Sequence, residues 1–237
     1  MNPIGFTTGV LYPHIAATEA LPLLTGQGVT CVEIGQSYSD PSENLRRLTK
    51  DDLAPFSYVS LHATGSIQFG KNDDTLDSFA RIEAIHKERP LDLVVFHPDV
   101  IEEISVFNGL PFPIAFENMD VLRDKYINVA DMQTLFDVVP EAKMVLDVNH
   151  VWTIDKSMQL AHEFWDAFGD RIAEVHLSGY SKLHDPLFET GQREIIEAIE
   201  HLDVQIIVES QLASAEDIAQ ERTYIEQTIK EIKAACS

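Results

Sequence analysis

Eight short apolar runs recur along the chain at intervals of roughly 25 to 30 residues, the repeat length of a β-strand followed by a helix. They occupy residues 4–11, 29–35, 58–63, 92–98, 114–118, 143–148, 172–177 and 204–209. Continuous Val/Ile/Leu runs are what parallel strands buried on both faces require, whereas a strand with one wet face would alternate. Helix-period segments lie between them. Residues 75–88 put Leu76, Phe79, Ile82 and Ile85 on one stripe, and residues 155–168 do the same with Met158, Phe164 and Trp165. Residues 214–235 open with Ser214 and Asp217 at capping-box spacing and predict an outer helix with one wet face. Eight such units in 237 residues predict an α/β fold, a single (β/α)8 TIM barrel, with residues 1–237 forming one domain. Two connections are less regular. Residues 37–55 read as a short helix with a loop over the barrel mouth. Residues 178–190, polar and carrying Gly179 and Pro186, read as a long loop at the end where barrels keep their specificity.

Composition narrows the function classes. The chain carries 17 Lys+Arg against 39 Asp+Glu, a formal charge of −22, which repels a phosphate backbone and makes nucleic acid an unfavourable partner. Acidity of this kind also serves plain solubility. No stretch approaches the roughly 20 apolar residues that span a bilayer, and the opening residues have no secretory pattern, so the expected location is cytoplasmic. Two cysteines, Cys31 and Cys236, make neither a disulfide framework nor a metal motif, and Cys31 sits in an apolar run as a small core residue. A small molecule is therefore the expected partner, and a homo-oligomer is compatible with the sequence.

Six of the runs end on, or just before, a residue able to bind a metal: His62, His97, Glu117, Asp147, His176 and Glu209, with His150 three residues beyond Asp147. A single such ending is unremarkable. His62 or His97 alone is more often a hydrogen-bonded histidine than a ligand. Glu117, Asp147, His176 and Glu209 are different, because converging at one barrel mouth they would leave unpaired buried charge without a cation. Glu33, inside the second run, is expected to hydrogen-bond within the barrel. His14, His86, His162 and His201 read as surface or packing residues, and Trp152 and Phe69 as pocket wall or core.

The segments SLHA, FHPD, FEN, LDVNH, VHLSG and VES, in this order and on matching strands, resemble the xylose isomerase-like barrels. That superfamily comprises sugar phosphate isomerases and epimerases and the endonuclease IV type of AP endonuclease (AP endonuclease family 2). The resemblance covers nearly the whole chain. It implies that Glu117, Asp147, His176 and Glu209 hold a divalent metal, Mn, Mg, Co or Zn, with Glu117 and Glu209 also catalytic. His150 matches a substrate-binding residue of the epimerases and a further metal ligand of the endonucleases. His62 and His97 match ligands of an additional zinc in the endonucleases and line the pocket in isomerase-like members. The endonuclease pattern completes a third zinc with a His and an Asp two residues before it. Here His184 is preceded by Lys182, with Asp185 as a neighbouring substitute. Lys182 suits the phosphate or carboxylate of a small substrate instead.

Three functions follow from the resemblance. The first is a metal-dependent isomerase or epimerase, or a related enolate-chemistry enzyme, acting on a small sugar or sugar phosphate. Glu117 and Glu209 would transfer the proton beside an enediolate. The second is a multi-zinc phosphodiesterase, which on DNA needs basic loops where this chain offers only the scattered Arg46, Arg47 and Lys71. The third is a barrel that binds metal or ligand without turnover, against which the intact ligand set argues.

Overall fold

The computed structural model describes residues 3–11, 15–35 and 48–235. Of residues 37–55, expected to hold a short helix and a loop, 37–47 lie outside the described residues, Arg46 and Arg47 among them, as do His14 and Cys236, and the remainder carries a short helix, Lys50–Leu53. Within the described residues the eight runs form a closed, all-parallel barrel in sequence order. Its strands are β1 (Ile4–Thr7), β2 (Cys31–Gly35), β3 (Tyr58–His62), β4 (Leu93–Phe96), β5 (Ile114–Glu117), β6 (Lys143–Asp147), β7 (Ile172–Leu177) and β8 (Gln205–Val208). Closure comes from β1 pairing β8, with Ile4 opposite Ile206. The first run is longer than its strand because Thr8 and Gly9 turn away after Thr7 and Leu11 keeps only an isolated bridge to Leu212.

Local side-chain chemistry sets the helix ends. Asn72 caps α3 (Asp73–Glu88; α1 is Ala17–Gly26 and α2 is Lys50–Leu53) by accepting from the Thr75 N–H at 2.8 Å. The buried face of α3 runs through Thr75, Phe79 and Ile82, so Leu76, one position out of phase, is 66% exposed instead of packed. Thr75 takes the inner place because its hydroxyl accepts from the Gly70 N–H at 2.9 Å. Asn128 caps α4 (Val129–Val138) in the same way as Asn72.

The segment expected to be one helix from 155 to 168 is divided. Helix α5 (Val148–Ile154) leaves β6 directly, and α6 (Gln159–Phe168) begins after Met158, whose φ is +58°. Asp155 causes the break, because its carboxylate accepts from the Ser157 and Leu160 N–H groups at 2.9 Å and holds a turn there. After the short α7 (Leu187–Thr190) and α8 (Arg193–Glu197), the last helix, α9 (Ala215–Ala235), shows the reciprocal half of the expected capping box, the Ser214 N–H donating to Asp217 at 2.9 Å. No helix among the described residues is long and apolar enough to cross a membrane.

Two apolar layers support the barrel. The outer one fills the space between strands and helices and includes a knot of Phe69, Phe79, Phe96 and Phe107, with ring centroids 4.9 to 6.1 Å apart. Phe69 thus belongs to the core. A small inner cluster, Leu93, Val95, Ala115 and Val145, plugs the barrel below the strand ends. Gly5 is needed inside, because a Cβ there would lie 2.5 Å from Ile207 Cδ1 and 2.8 Å from the Cys31 carbonyl. One irregularity interrupts the ladder. Met144 pairs Ile172 but Val145 pairs Glu174, so β7 carries one extra residue, Ala173, opposite that step. Ile172 packs in the outer core, whereas Ala173 rests on the inner cluster and Glu174 continues on the inside.

Candidate metal centre

Strand alternation below and the strand ends above bring the expected residues to one mouth. His62 closes β3, Glu117 closes β5, Asp147 closes β6 and His176 lies one residue before the end of β7; His97 and Glu209 follow β4 and β8 directly. Ligand atoms of Glu117, Asp147, His176 and Glu209 all lie within 4.8 Å of one another, as do those of His62, Glu117 and His176. Glu117, Asp147 and His176 are buried and Glu209 is 17% exposed.

Glu117 is the hub. Its Oε1 faces His176 Nδ1 at 3.2 Å and His150 Nδ1 at 3.6 Å, and its Oε2 faces His62 Nε2 at 3.1 Å and His97 Nε2 at 3.0 Å. Glu209 approaches His176 Nδ1 at 3.6 Å. His150, expected on a loop, stands in the first turn of α5, because Asp147 acts as the N-cap and its Oδ1 accepts the His150 N–H at 2.8 Å. Asp147 Oδ2 is left buried with no hydrogen-bond partner among the described residues, 3.5 Å from His150 Nε2.

The ring hydrogen bonds tell which nitrogens are free. A carbonyl only accepts, so His62 Nδ1–H donates to Ala63 O at 3.0 Å and His150 Nδ1–H to Asn118 O at 2.8 Å. His62 Nε2 then meets the Glu117 carboxylate, and His150 Nε2 turns toward Asp147. Each such contact joins two acceptors unless a proton or a cation lies between them. The titration directions agree. Burial alone would lower His62, but its hydrogen bond to Glu117 and the charges of Glu33, Glu117 and Glu209 lift it to about 10. His176 is likewise raised well above the ordinary histidine range, against its burial, by Glu209, Glu33 and Glu117. Burial pushes Glu209 up to about 8, with Glu33, Glu117 and Asp147 adding to the rise, and pushes Asp147 up to about 6. Glu117, surrounded by imidazoles, is held well below the carboxylate range despite burial. In this arrangement imidazolium charges balance carboxylates. The donor set, hard oxygens with imidazole nitrogen and an orphaned carboxylate oxygen, fits a divalent cation of the Mg, Mn, Co or Zn kind.

His184 and Lys182 lie in the connection after β7, where the expected 178–190 loop ends early because its last four residues form α7. His184 Nδ1 pairs with the Ser178 hydroxyl at 2.9 Å, and its ring lies 6.0 Å from that of His150. Asp185 is not among the groups whose ligand atoms converge at the mouth. Its Oδ2 accepts the N–H groups of Ser181 and Lys182 at 2.7 Å and of Leu183 at 3.1 Å, so the carboxylate is spent on shaping the loop. Lys182 is exposed. His162 and His201 are exposed on the outer face and stack on each other. His86 is half-buried and accepts the Leu91 N–H, and Trp152 packs partly buried against the outer core.

Beneath the mouth is a layer that the strand-end pattern misses. Glu33 on β2 and Glu174 on β7 are fully buried, and one oxygen of each lies 3.1 Å from His176 Nε2. Glu33 therefore hydrogen-bonds within the barrel as expected, on the same histidine that serves the mouth. Glu174 was legible in principle, since a strand's period of two places it on the face of His176 and a carboxylate within a buried strand is anomalous.

No family model matches the sequence, and no curated protein matches it. Solved structures do match in fold. Endonuclease IV from Thermus thermophilus superposes with a TM-score of 0.69 at 14% identity, over 97% of this chain and all of that one. An L-ribulose 3-epimerase gives 0.66 at 13% identity over 100% of this chain and 97% of its own. D-psicose 3-epimerase from Clostridium cellulolyticum, solved with D-tagatose, gives 0.58 at 12% identity over 99% and 97%. The chain therefore has the fold that these endonuclease and epimerase structures share, a closed eight-stranded TIM barrel.

Proposed function

We propose that this protein is a divalent-metal-dependent isomerase or epimerase that moves a proton on a small hydroxy-carbonyl sugar or sugar phosphate. The observation that carries the reading is the convergence of Glu117, Asp147, His176 and Glu209 within 4.8 Å, with one Asp147 oxygen buried and unpartnered among the described residues. A bound cation would supply Lewis-acid stabilisation of the oxyanion formed as a proton leaves carbon. Asp147 and His176 serve to hold it. Glu117 and Glu209 enter from strands three apart around the barrel, so one removes a proton and the other returns it to the opposite face or the neighbouring carbon. His150 presents its Nε2 lone pair to a substrate hydroxyl, its other nitrogen being committed to Asn118. Lys182, exposed on the long loop, suits an anionic group at the far end of the substrate.

A second reading, a phosphodiesterase with two or more zinc ions, is favoured by one feature: Glu117 turns Oε2 to both His62 and His97 and Oε1 to His176, as a bridging carboxylate would. Lys182, the commitment of Asp185 to the loop and the charge of −22 weigh against duplex DNA as its substrate. Elemental analysis of chelator-free protein, followed by incubation of a panel of ketoses and ketose phosphates in D2O, separates the two. About one ion per chain with metal-dependent deuterium uptake at carbon, lost in E117Q and E209Q, is expected. Two or three tightly held zinc ions with no deuterium uptake and hydrolysis of a phosphodiester would replace the first reading by the second. No metal after reconstitution would overturn both.

A further inference from the structure

His176 is held from both sides. Nδ1 faces the mouth carboxylates, while Nε2 lies between Glu33 Oε2 and Glu174 Oε1, each at 3.1 Å. The second oxygens of these two carboxylates, Glu33 Oε1 and Glu174 Oε2, are buried without a partner among the described residues, as is the hydroxyl of Ser60, paired with Glu33 across the β2–β3 ladder. Tyr58, at the start of β3, lies near Glu174, and burial joined by that charge raises the pKa of its hydroxyl. Burying two carboxylates in a barrel interior with so few donors is expensive, and the apolar plug of Leu93, Val95, Ala115 and Val145 shows that this barrel can be filled without them. The one feature that both share is the Nε2 atom. With either carboxylate ionised, that group only accepts, so Nε2 must carry the hydrogen, and the lone pair of the neutral ring is then forced onto Nδ1, toward the mouth.

We propose that Glu33 and Glu174 are positioning residues that fix His176 as the Nε2–H tautomer, orient its ring and raise the basicity of Nδ1 toward the divalent cation. Neither touches substrate. Outer partners of a metal-bound imidazole commonly account for about 10- to 100-fold in metal affinity. This role rests on the metal-enzyme reading above and deepens it.

Competition against a chromogenic chelator would give Mn2+ affinity and stoichiometry for the unmodified chain, E33Q, E174Q and E33Q/E174Q, with the Co2+ absorption spectrum of each. Unchanged stoichiometry, affinity about 10- to 100-fold weaker in the double variant and displaced Co2+ bands are expected. Long-range 1H–15N spectra of the Zn2+-loaded unmodified chain supply a readout that needs no variant, and should show His176 protonated at Nε2. Unchanged affinity with unchanged Co2+ bands, even with a lower melting temperature, would overturn the positioning role while leaving the metal reading intact. So would a hydrogen on Nδ1 in the loaded chain. Loss of one ion out of two in the variants would also overturn it, because the pair would then be ligands of an inner ion. If the unmodified chain binds no metal, both the role and the reading beneath it fall.

Discussion

Replacing Glu209 by Gln should stabilise the metal-free protein and weaken its response to metal, two effects of opposite sign from one substitution. Burial, reinforced by Glu33, Glu117 and Asp147, raises Glu209 from an ordinary value near 4.5 to about 8. In the unfolded chain the group ionises near 4.5, so between that pH and 8 the folded state binds a proton that the unfolded state has released. Stability then falls as pH rises, by about 1.4 kcal/mol per pH unit. From about 4.5 to pH 7 the loss is about 3 kcal/mol, and Gln, with no proton to hold, does not incur it. The side chain is only 17% exposed, so solvent screening trims the figure without removing it. Urea denaturation in chelator should show E209Q level with the parent near pH 4.5 and more stable by up to about 3 kcal/mol at pH 7. In Mn2+ the gap should narrow, because the parent gains about 2.7 kcal/mol at a hundredfold excess over Kd and the variant, having lost one of four ligands, gains less. An E209Q protein that is less stable in chelator at pH 7 and gains as much from Mn2+ as the parent would refute the picture of a carboxylate cluster awaiting a cation.

Other outcomes follow from the same geometry. Cation binding should release protons, since Asp147 at about 6, Glu209 at about 8 and His62 at about 10 hold them in its absence. Titration calorimetry in buffers of different ionisation enthalpy would measure the release, and apparent affinity should rise from pH 6 to pH 8. Gly5→Ala should destabilise by about 1–3 kcal/mol in urea, because its Cβ would meet Ile207 and the Cys31 carbonyl within the barrel. Asp185→Ala should lose the three N–H contacts of Ser181, Lys182 and Leu183. Faster amide exchange at those positions, with melting of the barrel changed by no more than about 1–2 kcal/mol, would be the sign of a loop effect.

The barrel was legible in the sequence because parallel strands buried on both faces write themselves as uninterrupted apolar runs, and all eight runs contain a strand. Helix phase was harder to read. Leu76 belongs to a respectable apolar stripe, yet Thr75 holds the buried position through a hydrogen bond that periodicity does not register. The division at Asp155 had the same cause, a side chain competing with the helix for backbone N–H groups. At the mouth, strand ends gave the residues that converge, since the end of a buried strand is the natural place for a charge. Glu174 escaped that rule because it lies within its strand, and the partner that justifies it, His176, is identified only by closure of the barrel. The role of Asp185 was equally invisible, as three N–H groups from its own loop claim it.

The extra residue in β7 sets the parity of everything after it. Counting outward and inward from Ile172 by strict alternation would send Glu174 and His176 among the helices and leave Val175 facing the cavity. Ala173 absorbs one count by sharing the inner side with Glu174, and the imidazole arrives inside opposite Asp147. The chain thus keeps two independent reading frames within one strand, one for the packing of Ile172 and one for the chemistry of His176. Position 173 tolerates a change of small side chain more readily than a change of length. Deleting a single residue between Ile172 and Glu174 would leave composition and hydropathy nearly untouched and turn the central histidine out of the barrel.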